Sequence, residues 1–322
     1  MSSPSVSPLA DSDTPAYIGR FAPSPTGPLH FGSLLSALAS YLEARLQRGR
    51  WLVRMEDLDP PREQTGAADA ILHALEKHGL EWDDSVIYQS QRYQAYETAL
   101  ERLHQVGLVY PCSCSRQRLQ LTGGIYDGHC RRHPPPPPKP TAQRLKVAAL
   151  PATAPGHIDP NIHFHDLIQG SQHQDLANDV GDFVLRRKDR LFAYQLAVVV
   201  DDIHQGITHV IRGSDLLDST PRQLYLFELL AAAPPQYGHI PVALTREGHK
   251  LSKQNLSPAL AANRASDNLW QALVFLQQSP PPELRGAPVP EILAWAMVHW
   301  QVAAVPHSMG LLAPASFDHQ PS

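Results

Sequence analysis

From residue 20 to residue 33 the chain reads Arg-Phe-Ala-Pro-Ser-Pro-Thr-Gly-Pro-Leu-His-Phe-Gly-Ser, and no other stretch limits the fold as strongly. Ile18, Arg20 and Phe21 suit a short strand, after which Pro23, Pro25, Gly27 and Pro28 forbid regular structure until His30. Beyond it Leu34, Leu35, Leu38, Tyr41, Leu42 and Leu46 recur at three- and four-residue steps. That spacing predicts a helix with one buried face, beginning near Gly32 or Ser33. A strand, a stiff loop and a helix N-terminus carrying a glycine and an imidazole make an anion site, because the first-turn N–H groups point outward and the helix dipole favours phosphate. His30 and Gly32 would face the anion. An isolated His-x-Gly fits an incidental histidine in a proline-rich β-to-α connection equally well.

The rest of the chain narrows the class. Its 322 residues suffice for one large domain or two smaller ones, and no apolar run is long enough to cross a bilayer. Residues 1–16 are rich in Ser, Pro and Asp and lack basic and apolar regions, so a disordered leader is expected rather than a secretory signal. A formal charge of -4 excludes a generally basic nucleic-acid binder, leaving RNA contact to local basic patches. Three cysteines, clustered within residues 112 to 130, fit a reducing compartment better than a disulfide framework, and a cytoplasmic protein is expected.

Trp51 to Glu56 reads as a buried strand running into Asp57-Leu58-Asp59. Carboxylates at the carboxyl end of a parallel strand can grip a substrate ammonium, though an acidic helix-capping loop is the plainer possibility. Amphipathic helices follow over 67–79 and 93–107, with Ile71, Leu72, Leu75, Leu100, Leu103 and Val106 inward. Within 181–202, Lys188-Asp189 suits the turn of a hairpin whose second half is too apolar for the surface. Ile207 to Asp215 reads as a strand ending in a charged turn, where Arg212 could take a carboxylate bidentately or pair with a neighbouring Asp. Ser219 would cap a helix with Pro221 in its first turn. A last strand spans 237–244, a mobile phosphate loop 245–254 and two helices 268–277 and 290–300, with a weakly structured tail from Pro306.

Cys112, Cys114 and Cys130, a Cys-x-Cys pair and a third cysteine sixteen residues on, suit tetrahedral zinc, which takes thiolates or imidazoles and usually four of them. His129 and His133 are the default nitrogen donors for the missing position, and three buried free thiols are the alternative. Pro134 to Pro138 should form an extended polyproline spacer. Short strands are expected near 144–147 and 162–167.

Three strings together resemble the class I aminoacyl-tRNA synthetases in their glutamyl and glutaminyl form. The first is the proline-rich string ending His30-Phe31-Gly32; the second is Arg54-Met55-Glu56-Asp57-Leu58-Asp59 with Arg62; the third is Lys250-Leu251-Ser252-Lys253. Tyr194-Gln195-Leu196-Ala197 before Asp201-Asp202, and Arg212-Gly213-Ser214-Asp215, keep the same family's frame, and Gly123 to Cys130 resembles its glutamyl-queuosine subgroup.

The resemblance implies an α/β fold: a Rossmann-like parallel sheet in two halves, 17–109 and 181–256, split by a zinc-containing insertion at 110–180. A helical remainder and tail at 257–322 would then leave no room for an anticodon-binding domain. It implies a ligase-type enzyme that activates L-glutamate with ATP and Mg²⁺, forming glutamyl adenylate without tRNA. The glutamyl group would pass to queuosine in the anticodon of tRNA(Asp), the protein acting as a monomer. Arg20, Phe21, Ala22, Pro23, Ser24, Glu56, Tyr194 and Arg212 would hold glutamate. His30, Gly32, Ser33, Lys250 and Lys253 would hold ATP, with His30, Gly32 and Lys253 serving catalysis. One structural Zn²⁺ would sit on Cys112, Cys114, Tyr126 and Cys130. Two positions depart from the general class I pattern: Ser33 stands where a second histidine is usual, and Gln254 follows Lys253. A compact glutamyl-tRNA synthetase and a silent RNA-binding paralogue are the competing expectations.

Overall fold

The computed structural model describes residues 17–121, 123–147, 158–251 and 259–317. The expected leader, 1–16, lies outside them. Strand β1 (Ile18–Phe21) leads through the proline-rich loop into helix α1 (Phe31–Leu46), and β2 (Arg50–Met55) returns parallel to β1, with Ile18 opposite Arg50. Helix α1 begins at Phe31, just ahead of the expected start, because the His30 ring itself caps it by accepting from the Ser33 amide at 3.3 Å. Leu34, Leu35, Leu38 and Leu42 are buried as the spacing requires, whereas Leu46, in the last turn, is 42% exposed.

Helix α2 (Ala67–Lys77), strand β3 (Ile87–Tyr88) and helix α3 (Tyr93–Gln105) follow, β3 extending the sheet parallel to β2. Val106 was expected inward but falls past the last turn of α3 and is 66% exposed. An antiparallel layer comes next, built from β4 (Val109–Cys112), β5 (Ala142–Leu145) and, further on, β8 (Phe183–Arg186). Between these lie the short helices α4 (Arg116–Leu121) and α5 (His129–Arg132), the hairpin of β6 (Asn161–Asp166) and β7 (Gly170–Asp175), and α6 (Leu176–Asp179).

Residues 191–202 correct the sequence expectation. Arg187 N–H does close a turn onto Leu191 O, but after one bridging residue the chain enters helix α7 (Tyr194–Gln205) rather than a second strand. Leu196, Ala197, Val198 and Val199 are all fully buried. A helix enclosed all round has no polar stripe, so its apolar run is indistinguishable from that of a core strand.

Strand β9 (His209–Gly213) pairs in parallel with β10 (Gln236–Ile240) and is bound to β1 through Thr208 N–H to Ile18 O at 2.9 Å. Helix α8 (Thr220–Leu229) connects β9 to β10. Ser219 does not cap α8, its hydroxyl instead accepting from Gln195 Nε2 at 3.1 Å. Pro241, which cannot donate to a ladder, divides the expected last strand into β10 and β11 (Val242–Leu244). Helices α9 (Ala265–Phe275) and α10 (Val289–His299) pack on α1.

Residues 306–317 of the tail are built into the fold, contrary to expectation. Strand β12 (Gly310–Leu312) pairs in parallel with β11, and the buried Phe317 stacks on Phe31 with ring centroids 4.1 Å apart. Among the described residues no helix is long and apolar enough to cross a membrane.

Candidate active site

The carboxyl ends of β1, β2 and β9 and the N-terminus of α1 open onto one cavity of about 960 Å³. Arg20, Phe21, Ala22, Pro23, Ser24, Glu56, Tyr194 and Arg212 line it, as do His30, Gly32, Ser33 and Lys250. The structure thus brings together twelve residues from five separate stretches. Lys253 lies outside the described residues.

At the α1 end, the first turn carries no acidic residue to oppose an anion. Ser33 Oγ is 3.2 Å from His30 Nε2, so this hydroxyl sits against the imidazole in the place where the general pattern has a second one. A Cβ on Gly32 would meet His30 Cε1 at 3.2 Å and Nδ1 at 3.3 Å, which gives the glycine of His-x-Gly a steric reason. Lys250 Nζ, at the rim, is 2.5 Å from Asp215 Oδ2.

At the opposite end two buried acids of α7 organise the cations. Asp202 Oδ1 accepts from Arg20 Nε at 3.2 Å and lies 2.8 Å from Arg54 Nη2, while its Oδ2 accepts from Arg20 Nη2 at 3.1 Å. Asp201 accepts from Gln89 Nε2 at 2.8 Å, Arg92 Nε at 2.6 Å and Tyr96 Oη at 2.7 Å. Glu56, one residue past β2, is 3.5 Å from Arg54 Nη2. Burial raises the Glu56 carboxyl above the ordinary value, with Arg54 and Arg20 pulling the other way, whereas Arg20 and Arg54 hold Asp202 below it against burial. Sequence reasoning missed Arg54, Asp201, Asp202, Gln89, Arg92 and Tyr96. The available signal was two adjacent acids ending an apolar run, since buried charges require partners.

Arg212 is built differently. Its Nε donates to His239 Nε2 at 3.0 Å, its Nη1 to Tyr194 Oη at 3.2 Å, and its Nη2 to Thr220 Oγ1 at 2.8 Å and Leu216 O at 3.3 Å. No described carboxylate lies within ion-pair distance of it. Asp215, the neighbour that could have neutralised it, pairs with Lys250 instead. The four bonds occupy four of a guanidinium's five N–H groups. One Nη1 N–H, beside a tyrosine hydroxyl that accepts from the same nitrogen and keeps its own proton to give, is what remains for a ligand.

Away from the cavity, the sulfurs of Cys112, Cys114 and Cys130 lie within 4.8 Å of one another, and among the described residues no His, Asp or Glu joins them. Tyr126 Oη is 3.4 Å from Cys112 Sγ and 3.8 Å from Cys114 Sγ, while His129 and His133 face each other. Arg144 donates from Nε to Cys112 Sγ at 3.2 Å and lies 4.0 Å above the Tyr126 ring, placing a cation where thiolates would gather negative charge. Three close thiols fit zinc in donor type, and the Tyr126 hydroxyl, which accepts from the Cys130 amide at 2.8 Å, lies beside them.

Known proteins match this chain in sequence and in fold. The family described as tRNA synthetases class I (E and Q), catalytic domain, matches residues 18–276. A protein named Glutamyl-Q tRNA(Asp) synthetase from Pseudomonas fluorescens is 52% identical over 305 residues, covering 94% of this chain and 98% of that one. One of the same name from Serratia proteamaculans is 52% identical over 290 residues, 90% of this chain and 92% of that one. A crystal structure of a glutamate tRNA ligase from Elizabethkingia meningosepticum in complex with its amino acid shares the fold, with a TM-score of 0.75 at 24% identity, over 94% of this chain and 68% of that one. The chain belongs to the class I tRNA synthetases of the E and Q group.

Proposed function

We propose that this protein is a ligase that joins L-glutamate to ATP, forming glutamyl adenylate and pyrophosphate without tRNA, and then transfers the glutamyl group to queuosine in the anticodon of tRNA(Asp). The observation that carries the amino-acid half is Arg212: a buried cation with no carboxylate of the described residues within ion-pair distance, in the same cavity as Glu56. A carboxylate at Arg212 and Tyr194 with an ammonium at Glu56 is the charge pattern of an acidic amino acid. Arg20, whose Nε and Nη2 are taken by Asp202, would offer Nη1 to a second carboxylate, and residues 21–24 line the same cavity. The transfer half is supported by the names of the relatives at 52% identity.

Adenylate formation runs on positioning and charge: the glutamate α-carboxylate attacks the α-phosphorus in line with departing pyrophosphate. The α1 N-terminus with His30 and Gly32 would cradle the phosphates, Ser33 adding a hydroxyl donor. Mg²⁺ carried by ATP would neutralise phosphate charge. Lys250 would exchange Asp215 for phosphate, and Lys253 would stabilise the leaving pyrophosphate. Zinc on Cys112, Cys114, Cys130 and Tyr126 would hold the insertion together, with no position left for substrate.

The test gives the purified protein labelled glutamate, ATP, Mg²⁺ and tRNA(Asp) with or without queuosine, then digests the RNA. The expected result is label in the anticodon fragment only when queuosine is present, with glutamate-dependent pyrophosphate exchange in the absence of tRNA. Label at the 3′ end instead would make this a compact glutamyl-tRNA synthetase. No label and no exchange would leave a silent paralogue.

A further inference from the structure

Behind Arg212 lies a buried hydrogen-bond chain that reaches out of the parallel sheet into the insertion. His239, on β10, and Asp166, at the end of β6, are both fully buried, and His239 Nδ1 is 2.6 Å from Asp166 Oδ2. On the other side of the ring, Nε2 is 3.0 Å from Arg212 Nε and 3.2 Å from Thr220 Oγ1. A guanidinium nitrogen can only donate, so Nε2 must carry the lone pair and Nδ1 the proton. Asp166 enforces that tautomer. Its Oδ1 already accepts from the backbone amides of Ile168 at 3.0 Å, Gln169 at 2.8 Å and His239 at 3.0 Å, which leaves Oδ2 as a fixed acceptor facing Nδ1.

We infer that Asp166 and His239 are positioning residues for amino-acid recognition: Asp166 fixes the Nδ1-protonated tautomer of His239, and His239 then holds Arg212 with its Nη1 edge, beside Tyr194 Oη, turned to the substrate carboxylate. This rests on the glutamate reading above. Asp166 also gives Arg212 a counter-charge one ring away. A carboxylate in direct contact would occupy the guanidinium and compete with substrate, whereas one relayed through an imidazole orients the cation and leaves it available. Burial keeps the imidazole below its ordinary value despite the aspartate, in line with a neutral ring.

The decisive variant is Asp166→Asn. The three backbone amides would retain the amide oxygen at the Oδ1 position, so the NH₂ group would face Nδ1 and drive the histidine proton to Nε2, against the Arg212 donor. Expected are a rise of about tenfold or more in KM for glutamate in pyrophosphate exchange, with KM for ATP and kcat within about twofold. ¹⁵N spectra of the imidazole, assigned by subtraction of His239→Gln, should move from the Nδ1–H to the Nε2–H pattern. His239→Gln can accept from Arg212 and donate to Asp166 as the histidine does, so it should keep KM for glutamate within a few fold, whereas His239→Leu should not.

Folded Asp166→Asn protein with unchanged KM for glutamate, or with both KM values raised alike, would overturn the inference, as would equal behaviour of the Gln and Leu variants. Should Asp166→Asn fail to fold, the Gln and Leu pair decides. An Nε2–H tautomer in the unaltered protein would refute the chain itself, whereas its Nδ1–H tautomer together with no glutamate-dependent exchange would refute only the proposed substrate.

Discussion

Each end of the cavity depends on a side chain whose effect can be isolated. At the amino-acid end, Glu56 must be ionised to meet an ammonium, yet burial raises its pKa. The active form is the carboxylate, so kcat/KM for glutamate should fall on the acid side through an apparent pKa above the ordinary glutamate value of about 4.3. Glu56→Gln should lose about 100-fold in kcat/KM, the cost of leaving an ammonium facing a neutral amide, and its profile should lack that acid limb. An acid limb persisting in the variant would assign the titration elsewhere. At the ATP end, Gly32→Ala would press a methyl group on the His30 ring, 3.2 Å away. KM for ATP should rise about tenfold while KM for glutamate holds, as measured by exchange with each substrate varied in turn.

Legibility at this scale followed chemistry. Whereas Tyr194 reads locally as an ordinary core aromatic and was singled out only by the family resemblance, His30, Glu56 and Arg212, which line the cavity, were readable because each sits in a local string with its own logic. Asp202 was not, because its meaning comes from Arg20, 182 residues earlier in the chain, and from Arg54, a cation inside a strand that reads locally as apolar core. The two ends of the relay behind Arg212 were invisible for the same reason: Asp166 and His239 are 73 residues apart.

Among the elements, strand β1 and helix α1 were legible because proline punctuation and three-to-four spacing are local, while the tail was not because β12 exists only by pairing with β11. Its last described aromatic carries a consequence for the site. Phe317 stacks on Phe31, the first residue of α1, which in turn meets Phe275 edge-on at 5.8 Å. Phe317→Ala should cost about 3 kcal/mol, the ordinary penalty for an excavated aromatic. Calorimetry should show a melting point lower by roughly 6–10 °C, with KM for ATP raised because the α1 N-terminus loses its backing. A drop in stability with unaltered KM would detach the tail from the phosphate site. In the insertion, Cys-x-Cys spacing pointed to a cluster of three sulfurs within 4.8 Å of one another, which could hold a zinc, and the close approach of Tyr126 makes the proposed fourth ligand testable. A strong chelator should release one zinc per chain and lower the melting point. Tyr126→Phe should weaken zinc retention in chelator competition, and His129→Ala should not; the reverse ranking would return the site to the histidines.

Across the whole molecule, the buried titratable groups set how the fold should respond to acid. Burial holds the imidazoles of His78, His209 and His239 below the ordinary histidine value. His78 shows why: its Nδ1 bonds to Ala74 O at 2.6 Å and its Nε2 lies 3.1 Å from Asn268 Nδ2, a donor, so a second ring proton would displace Asn268. As pH falls below about 6.5 the unfolded chain takes up protons at these residues and the folded chain does not, so stability declines from there down to the folded values. Asp166 and Asp202 have depressed values, so their contribution is intact above about 3.9 and is lost only as pH falls through still lower values. Glu56 has the opposite sign, because the folded protein takes its proton first and recovers stability on acidification. The histidine window therefore comes first. The melting temperature should fall between about pH 6.5 and pH 5, before the aspartates respond, at up to about 1.4 kcal/mol per unit of pH for each histidine held neutral. His78→Gln removes one titrating group, and whatever it costs at neutral pH, its curve should be shallower than that of the unaltered protein across this window. Parallel curves would show that His78 is protonated in the fold, with Asn268 turned to present its oxygen.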